Sequence, residues 1–334
     1  MSGRPGLRQL ATGAVGLALG CVFLWLALRK IDLALMRDAL RTLDLRFVAL
    51  SCGLYWLGLG CRVERWHGLL NQLAALRRRA VGETLLVGYA VNNLLPARLG
   101  ELFRADYAKR RFQLSRSAVL GSIVIERLTD LAAILACLGL GLLTVRLPVV
   151  DGALDFPKLM LYALPVLVLV VLAIALGRRA QGWRVLRLPA AVARRMHELT
   201  QGLRSLNRTT FLRSCLLTAL TWAAESAALW SMLYALGLAL SPGQALLLMS
   251  AASLSTLVPT APGYLGTYQL VFASALPVFG LSATLGVLGS VLIQVFLFGS
   301  VTLAGLVLYL ARSMHNVALL RHEAPLHGSG YRPR

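Results

Sequence analysis

Acidic residues are scarce in this chain. Its 334 residues include 14 Asp and Glu against 34 Lys and Arg, a formal net charge of +20. Charge as a whole is also sparse, at 14% of residues, where a soluble domain carries about 25%. The five cysteines (Cys21, Cys52, Cys61, Cys137 and Cys215) form no CxxC pair and lie within or beside apolar stretches. That pattern is uninformative about redox chemistry, and the cysteines read most simply as free, buried, small hydrophobes. His67, His197, His315, His322 and His327 have no metal-ligand spacing. No Walker loop, dinucleotide fingerprint or Ser-His-Asp arrangement follows a strand pattern. The expectation is therefore no catalytic residue set, no metal and no cofactor. The basic excess does not point to nucleic acid either, because no basic stripe is interleaved with aromatics. The arginines instead sit in short segments beside apolar runs, where anionic headgroups and the positive-inside rule account for them.

Apolar sequence is what the chain has in abundance: 57% hydrophobic residues and a mean hydropathy of +0.70. The stretch Leu10 to Leu28 carries no charge, and a helix of that length covers a hydrocarbon core of roughly 30 Å at about 1.5 Å per residue. Similar runs recur at 46–61, 81–95, 117–145, 159–177, 211–236, 243–278 and 281–311. They predict an all-α polytopic membrane helix bundle forming one integral membrane domain over 1–321, in halves of about 10–147 and 158–311. The remainder, 322–334, reads as a disordered cytoplasmic tail. Arg29-Lys30 follow the first run in place of a small-residue cleavage site, so it reads as a retained helix. Trp56, Trp66, Trp183 and Trp222 fall near segment ends and read as interfacial anchors.

Loop charge orients the bundle. The segments 62–80, 98–116 and 178–213 are strongly basic, the last with nine arginines, and belong in the cytoplasm. The segments 237–243 and 279–283 carry no charge and belong outside. Two basic segments then flank one short apolar run, and two external segments flank another. A simple crossing cannot satisfy either pair. Both runs are broken by proline, at Pro96 and at Pro259-Thr-Ala-Pro262-Gly263, and each proline precedes a glycine by four residues (Pro96 to Gly100, Pro262 to Gly266). Two re-entrant broken-helix hairpins resolve the conflict, with irregular backbone tolerated where it is buried in protein or lines a cavity. The prediction is six crossings plus two hairpins in an inverted repeat, with both termini cytoplasmic and the chain in the cell inner (cytoplasmic) membrane. Paired interrupted segments of this kind point to a transporter binding site.

Ionisable groups within apolar segments are costly and concentrate at functional sites. Three groups qualify: Arg98, Glu101 and Arg104 beside Gly100; Glu126, Arg127 and Asp130, which share a helical face; and Glu225, alone within 211–236. Arginines suit bidentate phosphate binding. Freed backbone N–H groups at Gly100, Gly263 and Gly266 suit an anionic headgroup. The same residues also fit a purely structural ion-pair network that pins the first hairpin.

At these residues the sequence resembles the transmembrane-domain family of lysylphosphatidylglycerol synthase, also described as flippase-like. The motifs that carry the resemblance are Asn93, Pro96, Arg98, Gly100, Glu101 and Arg104; then Glu126, Arg127 and Asp130; then Pro259, Pro262, Gly263 and Gly266. The resemblance spans roughly residues 10–311 and implies a protein that moves lipids, or handles lipid-linked groups, between leaflets. Gln269 stands where it implies a glutamate, which puts a proton-coupled role there in doubt. The expectation is a membrane region without the aminoacyl-transferase domain that some relatives carry, and so not itself a lysyl-lipid synthase. The leading expectation is a translocase for an anionic phospholipid or a polyprenyl-phosphate-linked lipid. The alternatives are a membrane-embedded transferase acting on a lipid-linked phosphate and a non-transporting scaffold of an envelope-lipid pathway, with an envelope-lipid biosynthesis partner. The expected substrate-binding set is Arg98, Gly100, Glu101, Arg104, Glu126, Arg127, Asp130, Glu225, Pro262, Gly263, Gly266 and Gln269.

Overall fold

The computed structural model describes residues 7–29, 31–95, 99–145, 207–257 and 261–322. The expected helix at 159–177, most of the basic segment 178–213, Trp183, Pro96, Arg98, Pro259 and the tail after residue 322 lie outside the described residues. Within them the chain is helical, with no strand. The helices are α1 (Leu7–Leu28), α2 (Leu33–Arg41), α3 (Leu45–Leu70), α4 (Arg78–Leu94), α5 (Leu99–Phe112) and α6 (Arg116–Thr144). They continue with α7 (Arg208–Tyr234), α8 (Pro242–Ser255), a 3-10 turn (Pro262–Tyr264), α9 (Thr267–Val278), α10 (Ala283–Leu292), a π-helical stretch (Ile293–Phe298) and α11 (Gly299–His322). Among the described residues, Arg208–Tyr234 and the continuous stretch Ala283–Ser313 are long and apolar enough to cross a membrane. The pair Leu33–Arg41 and Leu45–Leu70, bent by 88°, makes a third candidate.

Helix ends follow from local chemistry. Asp32, Asp44, Ser115, Asn207, Ser241 and Ser282 each cap the following helix, accepting from first-turn N–H groups that have no helical partner. At Ser241 the cap closes into a box with Gln244.

The sorting of side chains runs opposite to that of a soluble bundle. On α7 the inward stripe Ser214, Thr218, Thr221, Trp222 is polar or amphipathic and buried, while Leu212, Leu216 and Leu220 face outward. Leu303, Val307 and Leu310 form a comparable exposed stripe on α11. Exposed leucine outside and buried hydroxyls and charges inside are what a hydrocarbon solvent selects.

Antiparallel pairs organise the interior. α3 packs along α7, with Ser51 Oγ donating to the Ala228 carbonyl at 2.7 Å and Ser231 Oγ to the Phe47 carbonyl at 3.0 Å. α4 folds back on α5: a Cβ on Gly100 would lie 2.5 Å from Asn92 Cβ, and one on Gly88 would lie 3.0 Å from Arg104 Cβ. α6 packs on α8, and α11 on α4. α1 lies against α9 and the turn before it.

Two sequence boundaries need correction. The basic segment 62–80 is not all loop, because α3 continues to Leu70 and carries Arg62 and Arg65 inward. The apolar run 46–61 is too short for a span by itself, so the helix must extend through those arginines. The segment 98–116 is likewise mostly α5, which packs back on α4. Two of the four tryptophans are not interfacial anchors. Trp66 and Trp222 are buried, donating to Ser122 Oγ at 3.1 Å and to Asp130 Oδ1 at 3.3 Å. Trp56 is exposed.

Gly266 makes the tightest of these contacts. Its φ is +87°, and a Cβ there would sit 2.1 Å from the Gly20 carbonyl of α1. Gly237 has a φ of +75° with nothing within 4 Å. Gly237→Ala should therefore cost about 1–2 kcal/mol of conformational strain. Gly266→Ala should lower the detergent melting temperature clearly further, because α1 must also be displaced. Equal losses in the two variants would show that this contact does not hold α1.

Candidate functional site

The centre of the bundle holds a cluster of ion pairs. Arg65 on α3 presents both terminal nitrogens to Asp130 on α6, at 2.6 and 3.2 Å, and bonds Thr218 Oγ1 on α7 at 2.7 Å. It also reaches Glu126 at 3.2 Å, and both of these side chains are 0% exposed. Glu126 receives Arg104 of α5 at 2.6 Å. The Arg104 guanidinium stacks 4.4 Å over the Trp66 ring, a desolvated cation–π contact. Arg62 pairs with Glu225 of α7, at 2.8 Å through Nε and 2.6 Å through a terminal nitrogen, and lies 3.7 Å from Asp130.

Arg127 is held differently. It lies 3.5 Å from Glu101, 3.4 Å from Glu126 and 3.4 Å from Asp130. These are ion-pair distances, longer than a charge-assisted hydrogen bond of about 2.7–2.9 Å. Its Nε is buried without a hydrogen-bond partner. Arg127 and Glu101 are also the most open pair of the cluster, with side chains 32% and 30% exposed.

Part of this cluster borders a cavity of about 410 Å³ between the two broken segments. Arg62, Glu101, Arg104, Arg127, Asp130 and Glu225 line one part of it. Tyr55, Tyr264, Tyr268, Leu297 and Phe298 line another. Amides close the space between the two tips. Asn92 Nδ2 donates to the Tyr264 hydroxyl at 2.9 Å, and Asn93 Nδ2 to Thr302 Oγ1 at 2.9 Å.

The second tip is held by its own network. The Gly266 N–H donates to Gln269 Oε1 at 2.8 Å, so it is not the free donor expected of it. Gln269 Nε2 donates to Gln294 Oε1 at 2.5 Å, and Gln294 Nε2 to the Gly263 carbonyl at 2.9 Å. Gln294 lies in the π-helical stretch, a distortion that often marks functional sites. Gln269 thus acts as an N-terminal cap for α9. A glutamate there would keep the bond to Gly266 and lose the donor to Gln294. Pro262 opens the 3-10 turn, in which Gly263 sits at φ 64°.

Of the residues singled out from sequence, the structure brings together Gly100, Glu101, Arg104, Arg127, Asp130 and Glu225 at one cavity, while Glu126 is fully buried and pairs with Arg104. Pro262, Gly263, Gly266 and Gln269 shape the facing tip. Arg98 lies outside the described residues. Arg62, Arg65 and the cavity tyrosines were not singled out. The spacing of Arg62 and Arg65, three residues apart on a helix that must run past residue 61, was the available signal.

A buried pair broken on one side leaves an uncompensated charge, at a cost of about 3–5 kcal/mol. Arg65→Leu or Asp130→Leu alone should therefore lower the detergent melting temperature sharply. The double variant should recover part of the loss, since the bidentate pair disappears as a unit. Additive losses in the cycle would show that the two residues are not coupled.

Similarity to known proteins agrees with this picture. The chain is 23% identical over 224 residues to a UPF0104 membrane protein of Methanocaldococcus jannaschii, covering 66% of this chain and 92% of that protein. The sequence profile described as lysylphosphatidylglycerol synthase TM region matches residues 13–305. With a helical bundle, an apolar exterior and a match over most of its length, this multi-pass membrane protein belongs to the lysylphosphatidylglycerol synthase TM region family.

Proposed function

We propose that the protein is a flippase-like lipid translocase that moves a phosphate-bearing lipid or lipid-linked group between leaflets. The observation that carries this reading is Arg127. It is a partly exposed guanidinium on a 410 Å³ cavity, held at 3.4–3.5 Å by its carboxylates. Two of those carboxylates have closer partners, Arg104 with Glu126 and Arg65 with Asp130, each at 2.6 Å. A guanidinium stays charged when desolvated and offers a fork of donors to phosphate. An incoming phosphate would take Arg127 from Glu101, while Arg62, Arg65, Arg104, Glu126, Asp130 and Glu225 hold the wall. Leu99, Gly100 and Glu101 form the first turn of α5, whose N–H groups lack helical acceptors. Arg98, next to that turn in sequence, is proposed as the second phosphate ligand. Pro262, Gly263, Gly266 and Gln269 would form the opposing wall. The alkyl chains would stay among the exposed leucines of the exterior.

The topology proposed with this function is six crossings and two re-entrant hairpins, inverted between halves, with both termini on the cytoplasmic side of the inner membrane. The packing supports it, because corresponding elements exchange partners: α6 of the first half lies on α8, and α11 of the second half on α4. Translocation is favoured over transferase chemistry because Glu126, Asp130 and Glu225 each pair with an arginine at 2.6 Å. A general acid or base would have to be released from such a partner first.

The test compares two conservative substitutions in proteoliposomes carrying headgroup-labelled phospholipid. Arg127→Lys keeps the charge and loses the fork, and should lower transport per folded molecule about tenfold or more at nearly unchanged melting temperature. Arg104→Lys, wedged between Glu126 and Trp66, should lower the melting temperature first. Full specific activity in Arg127→Lys would rule out phosphate binding by this residue.

A further inference from the structure

Outside the cavity, a second cluster of charge gathers where α4, α5 and α11 meet. Among the described residues Glu83 of α4 is its one carboxylate. It receives Arg79 Nε at 3.1 Å, a terminal nitrogen of Arg111 at 2.6 Å and Arg312 Nε at 2.8 Å. Three guanidiniums on one carboxylate leave two positive charges in excess. The neighbouring acids do not make up the difference, because Glu64 is held by Arg78 and Arg213, and Asp106 by Arg116. Joining the three helices requires only Arg111 of α5 and Arg312 of α11. Arg79, on the same helix as Glu83, adds charge and no link. Arg79 and Arg312 are also the open members, with side chains 91% and 46% exposed. Like charges gathered this closely repel one another, and an anion that joins them relieves the repulsion.

We propose that this cluster is a peripheral binding site for an anionic phospholipid of the adjoining leaflet, with two negative charges on its headgroup, which fastens α11 to the α4–α5 pair. The site is separate from the cavity and stands whether or not the protein translocates lipid. Its surroundings favour a lipid over a soluble anion. Tyr107 lies one turn from Arg111, and Tyr309 one turn from Arg312. With Phe103 they form a three-ring cluster between α5 and α11, with centroids 5.8 to 6.3 Å apart. Aromatic side chains of this kind settle at headgroup level. On α11, Leu306 and Leu310 lie one turn before Tyr309 and next to it, and both are exposed, as is Leu102 on α5. Apolar surface for acyl chains therefore begins where the arginines end. Arginine, then aromatic, then leucine follows the layering of a lipid from phosphate to chain. Guanidiniums offer phosphate a fork of donors. The first-turn N–H groups of α4 add further donors beside Arg79, because Arg77 supplies no side-chain cap. Arg77, Arg78, Lys109 and Arg110 are exposed next to the cluster in sequence and raise the local concentration of anions.

The test is lipid binding to the purified, delipidated full chain in detergent, read by native mass spectrometry and by melting temperature. Cardiolipin supplies two phosphates, phosphatidylglycerol one, and phosphatidylcholine no net charge. Cardiolipin should bind about fivefold tighter than phosphatidylglycerol, with phosphatidylcholine weakest, since each arginine beside an anionic headgroup contributes about a fivefold factor. Arg79→Gln, at an exposed side chain that joins no helices, should keep the fold and weaken cardiolipin about fivefold. Adding Arg312→Gln should bring the loss to about thirtyfold. Arg127→Lys, which alters the cavity, should leave cardiolipin affinity as it is. Glu83→Gln removes the competing carboxylate, so it should lower the melting temperature of the lipid-free protein and tighten cardiolipin binding, with added cardiolipin reversing the loss. Unchanged cardiolipin affinity in Arg79→Gln and in the double variant would overturn the proposal. So would a loss of stability in Glu83→Gln that cardiolipin does not reverse, the mark of a purely structural cluster. An Arg127→Lys loss as large as that of the double variant would place the lipid in the cavity instead. Displacement of cardiolipin by an equal concentration of pyrophosphate would overturn lipid recognition in favour of a soluble anion.

Discussion

Charge in a low-dielectric interior has to be matched within its own layer, and the rest of this structure is arranged around that requirement. Among the described residues the central cluster contains four arginines (Arg62, Arg65, Arg104 and Arg127) and four carboxylates (Glu101, Glu126, Asp130 and Glu225). They come from α3, α5, α6 and α7: α3 brings two positive charges, α6 and α7 each bring one net negative charge, and α5 brings one of each sign, so no helix can leave without stranding a charge. The cluster therefore ties α3 to α7 and fixes α5 against α6. It also explains why hydroxyls and small residues line the α3–α7 contact. Placing Arg65 beside Asp130 and Thr218 requires those helix backbones to lie close together.

The pairing is graded, and the grading links structure to function. The innermost contacts, at 2.6 Å and with little or no exposure, are rigid scaffold. At the cavity edge the Arg127–Glu101 contact lengthens to 3.5 Å and opens to about a third exposure. Neutral amides take over around the two interruptions, through Asn92, Asn93 and Gln269, with Gln294 reaching the second one from the π-helical stretch. Amide contacts between tips can break at much lower cost than ion pairs. Movement of one tip against the other is therefore easier than movement within the cluster.

Much of this was legible in the residues. The prolines at 96 and 262, each with a glycine four positions on, marked interruptions of the two apolar runs: α4 ends at Leu94 and α5 starts at Leu99, and α8 ends at Ser255 before α9 starts at Thr267. The Glu126, Arg127 and Asp130 triplet announced a polar face inside an apolar helix. Arg62 and Arg65 were misread because the positive-inside rule treats any arginine flanking an apolar run as a loop residue. The competing constraint was helix length, since the sixteen-residue run 46–61 is too short for a span and α3 had to extend through the two arginines. Trp66 and Trp222 were misread for a related reason. An indole at a segment end resembles an anchor until its N–H partner, Ser122 or Asp130, is known. The meeting of Asn92 with Tyr264, 172 positions apart, had no local signal at all.

The most direct test of the account is a structure of the protein in lipid nanodiscs, at a resolution that shows headgroups. The account predicts phosphate density within hydrogen-bond reach of the Arg127 guanidinium, the Glu101 carboxylate displaced from it, and the Arg65–Asp130 and Arg104–Glu126 pairs unchanged. A structure with Arg127 still paired to Glu101, an empty cavity and ordered lipid only along the exterior leucines would contradict it.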